Sequence, residues 1–174
     1  FNSTLTGAQA LTLNSGTGTI GFTGTVGTGT PLTTLTITKS GGTTFSNNLS
    51  AGTLAIMDGV VGTAVALQGN TTLTTALTTS AGTAAYDVSI TGTINTIAGD
   101  TNFLNTGIVT LGNSAGDALT FTGGLATTGN VTNPSGTNIA GTVATTNTPM
   151  DLGVTTQTTA STIKSGTAAI NIVS

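Results

Sequence analysis

Apolar side chains in this chain recur in short alternating pairs, and this alternation restricts the fold more than any other feature. Leu11 and Leu13 flank a threonine, and Leu35 and Ile37 flank another. Successive residues of a β-strand point to opposite faces, so two residues spaced by two lie on one face. Clusters of Gly, Asn, Ser and Thr separate the pairs and are typical of turns. The pattern recurs at Ile20/Phe22, Leu54/Ile56, Val65/Leu67, Val88/Ile90, Val109/Leu111, Leu119/Phe121, Met150/Leu152 and Ile170/Ile172.

The composition also favours strands over helices. Only 4% of the residues are charged, against roughly 25% in an ordinary domain, and the chain has neither Glu nor Arg. Threonine is abundant, and its β-branched side chain suits the half-buried surface of a sheet. Leu73 and Leu77 have the spacing of one helical turn, but they lie among threonines, and we predict strand there. The sequence therefore predicts an all-β fold of short strands.

Several classes of function lack the residues that they require. The chain has no His and no Cys, which removes the usual catalytic triads and the usual ligands of zinc and most transition metals. A net charge of -3 provides no basic surface for nucleic acid. The apolar runs are far shorter than the roughly 20 residues that span a bilayer. We predict no cofactor, no nucleic-acid partner and no membrane insertion.

Carboxylates are the remaining route to catalysis, because a pair of them can hydrolyse a glycosidic bond. Even the two closest acids, Asp87 and Asp100, are 13 positions apart. We interpret each acid as a turn residue that accepts backbone N–H groups. We therefore predict that the protein is not an enzyme and has no catalytic, cofactor-binding or metal-binding residues. The acidic residues are Asp58, Asp87, Asp100, Asp117 and Asp151.

Internal similarity indicates that the strands form repeated coils. Residues 16–22 combine Gly-Thr, two small residues and two apolar residues separated by one, and residues 82–88 and 166–172 repeat this order. The offsets of 66 and 84 positions correspond to three and four units of about 21 residues. Coils of that length predict a β-solenoid of about eight coils, or near 40 Å of rod.

The two ends of the chain lack the polar caps with which solenoids stop end-to-end pairing. Residues 165–174 keep a strand pattern, and residues 1–7 begin within one. We therefore predict that residues 1–174 are a single solenoid segment. It is expected to be one period of a longer tandem array, or a protomer that stacks head to tail on copies of itself or on adjacent repeats.

Five stretches, residues 11–24, 31–38, 110–113, 116–125 and 139–143, together resemble a known group of proteins. They are similar to the β-strand repeats of giant bacterial surface proteins of the filamentous haemagglutinin and autotransporter adhesin type. The resemblance implies a right-handed parallel β-helix that is exported to the cell surface. It also implies a structural role as filament, stalk or adhesin, with a contribution to a biofilm matrix or contact with a host or neighbouring cell. It carries over no catalytic residue.

Two alternatives compete with this interpretation. A flat array of Thr-x-Thr pairs on a solenoid can bind ice, which requires pairs at coil spacing. A β-sandwich pilin subunit that donates a strand to its neighbour would also be rich in threonine and poor in charge, but its strands would be longer than most alternations seen here. The candidate threonine pairs are Thr17/Thr19, Thr23/Thr25, Thr28/Thr30, Thr36/Thr38 and Thr91/Thr93.

Overall fold

The structure is a computed structural model that describes residues 1–173, and these residues form β-strands and no helix. Every strand pairing among them is parallel. The strands are β1 (Ala10–Asn14), β2 (Ile20–Phe22), β3 (Leu32–Lys39), β4 (Thr43–Phe45), β5 (Leu49–Ile56), β6 (Ala64–Leu67), β7 (Thr71–Thr79), β8 (Asp87–Ile90), β9 (Ile94–Ile97), β10 (Thr101–Asn102), β11 (Ile108–Leu111), β12 (Ala118–Phe121), β13 (Leu125–Ala126), β14 (Gly136–Thr145), β15 (Met150–Leu152), β16 (Thr155–Lys164) and β17 (Ile170–Ile172).

The strands stack in three columns, which we name A, B and C. From column B each coil passes to column C and then to column A. Column B contains β2, β4, β6, β8, β11 and the first halves of β14 and β16. Column C contains the first halves of β5 and β7, then β9, β12 and the second halves of β14 and β16. Column A contains β1, β3, the second halves of β5 and β7, then β10, β13, β15 and β17. The predicted β-solenoid is confirmed, and the β-sandwich alternative is not the architecture of this chain.

The coils are longer and less regular than predicted. The chain makes about seven turns, which lie about 23 residues apart in the sequence, so that eight layers stack in column A. The sequence separation of paired residues varies along the stack, from a short one between Thr137 and Thr155 to a long one between Val109 and Thr137. The spread arises at the corners, where loops of different length are accommodated outside the stack. At about 4.8 Å per coil, seven coils make a rod of roughly 34 Å.

One continuous apolar core fills the stack, and the alternating pairs supply it. In column B, Phe22 lies on Phe45, and the row continues through Leu67, Ile90 and Leu111. All five of these side chains are buried. The rings of Phe1, Phe22 and Phe45 form a parallel stack with centroid distances of 4.5 and 4.6 Å. The predicted period of two is therefore confirmed as an inward and outward alternation.

Asparagine side chains tie successive coils together at the corner between columns B and C. The Asn70 N–H donates to Oδ1 of Asn48 at 3.1 Å, and the Ile94 N–H donates to Oδ1 of Asn70 at 3.0 Å. Beside them, the Thr71 N–H donates to Oδ1 of the buried Asn95 at 3.1 Å. Each amide thus satisfies a backbone donor that the corner leaves outside the strand pairing.

Gly27 marks a corner where two coils approach too closely for a side chain. Its φ is +75°, its N–H donates to the Leu5 carbonyl at 2.7 Å, and a Cβ there would collide with the backbone carbonyl of Ser50 in the next coil. Gly29 has a similar φ of +81°, but a Cβ on it would meet no atom within 4 Å.

These two glycines provide a matched pair of substitutions. We expect Gly29→Ala to cost about 1 kcal/mol of unfolding free energy, from the positive φ alone. Gly27→Ala should cost about 3 kcal/mol, since it adds the collision with the Ser50 carbonyl. Urea unfolding followed by circular dichroism measures both. Equal losses in the two variants would show that the coils are not in this register.

Candidate functional site

The five aspartates were the one set of potential catalytic residues, and three of them accept backbone N–H groups as predicted, although Asp87 is the first residue of β8 rather than part of a turn. Oδ1 of Asp58 accepts the N–H groups of Gly59 and Thr83, and Oδ1 of Asp87 accepts that of Ile108. Oδ2 of Asp117 accepts the N–H groups of two residues in its own turn, at 2.8 and 3.0 Å. These carboxylates satisfy backbone donors at corners.

Asp100 and Asp151 behave differently, because each accepts from an asparagine side chain and not from a backbone N–H group. Both line one surface groove on the outer side of column A, although they are far apart in the sequence. Asn102 donates to Oδ2 of Asp100 at 3.0 Å, and Asn171 donates to Oδ1 of Asp151 at 2.6 Å. The interpretation of these two as turn residues that accept backbone N–H groups was therefore wrong, since Asp151 lies within β15 and Asp100, among residues 1–173, accepts only from the Asn102 side chain.

A neighbouring groove towards the last coil shares Asn102, Ala126 and Asp151 with the groove that Asp100 lines, and is also lined by Asn171 and residues 128–130. Asn102, Ala126, Asp151 and Asn171 are in register in β10, β13, β15 and β17. Among residues 1–173, no group of three or more His, Cys, Asp or Glu side chains is placed to hold a metal ion. The same residues include no helix that is long and apolar enough to cross a membrane.

An ion pair at the corner after column A connects three successive coils. Lys39 Nζ lies 2.8 Å from Oδ2 of Asp58, and the Thr83 hydroxyl donates to the same oxygen at 2.7 Å. Burial by itself raises the pKa of Asp58, but the bonds from Lys39, Thr83 and Gly59 outweigh it and hold that pKa well below its usual value. The network stabilises the ionised carboxylate and is structural in character.

Tyr86 lies beside this ion pair and completes the corner. Its hydroxyl donates to the Ser80 carbonyl at 2.6 Å. Burial raises the pKa of Tyr86 to about 12, and the charge of Asp58 adds to this shift. The hydroxyl therefore stays protonated at neutral pH. Sequence reasoning missed this network, because Lys39 and Asp58 become neighbours only through the register in which β3 stacks on β5.

The ion pair predicts a specific pH dependence of stability. The pKa of Asp58 is lower in the folded state than in the unfolded state. Its carboxylate therefore adds to the free energy of unfolding above the unfolded-state pKa of about 3.9, and this addition is lost as the pH falls through the folded-state pKa. We expect Asp58→Asn to lose on the order of 1–2 kcal/mol at pH 7. Its thermal midpoint should also fall less than that of the wild type between pH 5 and pH 2.

Asp100→Asn is the control for this prediction, since that exposed carboxylate accepts only from the Asn102 side chain in the described structure. This variant should keep the acid-induced loss of stability that the wild type shows. Thermal scans by circular dichroism at several pH values measure all three proteins. If the thermal midpoints of the wild type and of Asp58→Asn fell equally between pH 5 and pH 2, Asp58 would not be the source of the pH dependence.

The structure does not align the threonine pairs proposed for ice binding. Thr36 pairs with Thr12 and Ala55, whereas Thr17 and Thr19 lie in the corner before β2. The longest aligned row of outward threonines in the described strands is Thr72, Thr96 and Thr120 in column C, which continues as Ala144. Column A of these strands aligns only the pairs Thr12/Thr36 and Thr34/Thr53. These short rows do not form the paired array at coil spacing that the alternative requires.

The end coils are the most distinctive surfaces of the described molecule. At one end, β1 pairs only with β3, and its apolar residues Leu11 and Leu13 are only half-buried. At the other end, β17 pairs only with β15, and Ile170 and Ile172 are 39% and 58% exposed. Interior residues of column A, such as Ile37, are fully buried. Both ends of the stack thus present core side chains and unpaired strand edges.

No protein-family model, no curated protein and no solved structure matches this chain. The resemblance to filamentous haemagglutinin and autotransporter repeats, and the right-handed winding that it implies, therefore stay predictions.

Proposed function

We propose that this chain is a non-catalytic structural segment of a filament or stalk displayed outside the cell. The observation that carries the proposal is the stack of parallel coils along one axis, with one apolar core that runs through the described coils. Each coil contacts its neighbours, so the length of such a rod is set by the number of coils and not by the size of a core. That property suits a spacer.

The surface supports a spacer more than a recognition module. The chain carries only seven charged side chains, two basic and five acidic, so neighbouring rods can approach without strong repulsion. Aromatic side chains commonly anchor binding sites. Here Tyr86, Phe22, Phe45, Phe103 and Phe121 are all buried, and Phe1 alone among the aromatic residues is exposed. Adhesion and a contribution to a biofilm matrix are secondary parts of this proposal.

Cell-surface display is the part of the proposal that is easiest to test. Antibodies raised against this chain are applied to intact source cells before and after protease treatment. We expect the antibodies to label intact cells, and protease to remove the label without lysis. Electron microscopy should show the labelled material as thin projections. Epitopes that become accessible only after lysis would overturn the extracellular role.

A further inference from the structure

The two end coils of the stack present the same three columns in the same order. At the first end, Phe1 lies on Phe22 in column B, Leu5 bridges to Val26 in column C, and β1 follows in column A. At the other end, the two halves of β16 supply columns B and C, and β17 supplies column A. A layer with the outline of the first coil can therefore continue the stack beyond the last one.

The two ends match in their side chains and not only in their columns. In column A, Met150 pairs with Ile170 and Leu152 pairs with Ile172, so both isoleucines extend buried rows. Leu11 and Leu13 extend the inward rows of the same column at the first end, through their pairing with Leu35 and Ile37. Placing β17 against β1 would bury two isoleucines on two leucines, with the polar Asn171 and Thr12 side by side on the outside.

Column C matches in the same way, and charge does not oppose the contact. Leu5 begins an inward row that ends at Ile163, and both side chains are partly buried against the core. No charged side chain precedes Lys39, and Lys164 is the only one after Asp151. The N-terminal ammonium donates to the Gly21 carbonyl at 2.7 Å, within its own molecule.

We propose that the partner of each end is a second copy of this chain, stacked head to tail with β17 of one copy parallel to β1 of the next. Ile170 then lies opposite Leu11, Asn171 opposite Thr12, and Ile172 opposite Leu13. The inference rests on the proposed role as a filament or stalk segment and names its partner. The two surfaces in contact are different, so the contact leaves an open end on each copy and generates a linear polymer. Unpaired parallel edges template this addition.

Column B is the weakest part of the contact. The row that starts at Phe1 ends at Gln157, which pairs with Ile139. Phe1 would therefore cover a polar side chain rather than an aliphatic one. We expect Gln157→Leu to strengthen the polymer at least several-fold, because it extends the apolar row of column B to the end of the stack.

A cysteine pair tests the register directly, since the chain has no cysteine of its own. Neighbouring parallel strands are about 4.8 Å apart, within the Cα separation that a disulfide spans. Within one molecule, positions 12 and 171 lie at opposite ends of a rod of roughly 34 Å and cannot be linked. The double variant Thr12→Cys/Asn171→Cys should form a ladder of disulfide-linked oligomers on mild oxidation, seen on non-reducing gels.

The register control is Ala10→Cys/Asn171→Cys, in which one cysteine moves two residues along β1, or roughly 7 Å. We expect at least tenfold less crosslinked oligomer from this variant. Equal crosslinking in the two variants would overturn the proposed register of β17 against β1 of the next copy.

Sedimentation of the unmodified chain and of Ile172→Lys tests the contact without crosslinks. Ile172 is already 58% exposed, so circular dichroism should show that the variant stays folded. The wild type should form oligomers as its concentration rises, and the variant should not. A wild type that stays monomeric at about 100 μM, where even weak specific contacts are populated, would overturn the stacking proposal. The cell-surface assay is independent of both readouts, so failure of the stacking and failure of the proposed function are distinguishable.

Discussion

Replacing Ile37 with aspartate is expected to unfold the coils around β3 and to remove the cooperative transition of the protein at room temperature. Ile37 is fully buried, and it lies between Leu13 and Ile56 in a core row of column A. An aspartate there would place an unpaired carboxylate among aliphatic side chains, which costs several kcal/mol in addition to the lost packing. The total exceeds about 5 kcal/mol, comparable with the whole stability of many domains.

Circular dichroism and urea unfolding measure this effect, and Thr38→Asp is the matched control. Thr38 follows Ile37 directly in the same strand, and its side chain is exposed. The same new charge at that position should change the unfolding free energy by less than about 0.5 kcal/mol. An Ile37→Asp variant that unfolds at the wild-type midpoint would contradict the inward orientation of this residue and, with it, the solenoid core.

Replacing Phe22 with alanine is expected to cost about 3–5 kcal/mol of unfolding free energy. Phe22 is 1% exposed and lies between the rings of Phe1 and Phe45, so the change leaves a cavity inside an aromatic stack. The adjoining surface of the exposed Phe1 ring loses its partner as well. Because coils contact only their neighbours, we expect the loss to appear first as local opening of the first coils.

Hydrogen exchange followed by mass spectrometry locates this opening, since β2 and β4 should lose protection before β9 and β12 do. Phe22→Leu is the control, because other positions of the same row already hold Leu67 and Leu111. This variant keeps most of the apolar volume and should lose less than about 2 kcal/mol. Uniform loss of protection along the chain would show that the molecule unfolds as one unit.

Much of the fold could be predicted from local pattern. Strand, inward face and corner follow from the alternation of apolar and small polar residues, because the period of two is a property of the extended backbone itself. Leu73 and Leu77 belong to β7 as predicted, although their spacing also suits a helix. The turn role of Asp58 and Asp117 was likewise predictable, since a short carboxylate satisfies donors within a corner.

The internal repeat proved a poor guide to register. The repeat aligned Ile20 with Tyr86, but the coils place Ile20, Thr43, Val65 and Val88 in one row, a shift of two residues. The third copy of the motif, residues 166–172, ends in β17 of column A rather than in a strand of column B. A Gly-Thr turn can precede a strand in any column, so similarity at corners does not measure the coil. The predicted coil length was too short for this reason.

Residues 94–97 are a segment in which the local pattern does not determine which side chains face the core. Ile94 and Ile97 are three positions apart and cannot both face inward in a strand. The structure buries Ile97 and Asn95 and leaves Ile94 61% exposed. Asn95 is tolerated inside because its amide accepts from the Thr71 N–H and donates to the Gly92 carbonyl. That choice depends on the neighbouring coil, which the local sequence does not contain.

Residue type and the period of two were sufficient to establish that the chain is all-β, where its strands lie, and that it has no His or Cys for catalysis. Which residues stack across coils emerged only from the folded molecule. Stacking placed Lys39 on Asp58, put Asp100 and Asp151 along one groove, and left Ile170 and Ile172 exposed in the last coil. The physical reason is that partners between coils are set by the accumulated lengths of the corner loops. Corner loops of different length change the sequence separation between stacked residues from coil to coil, while the alternation within each strand stays the same.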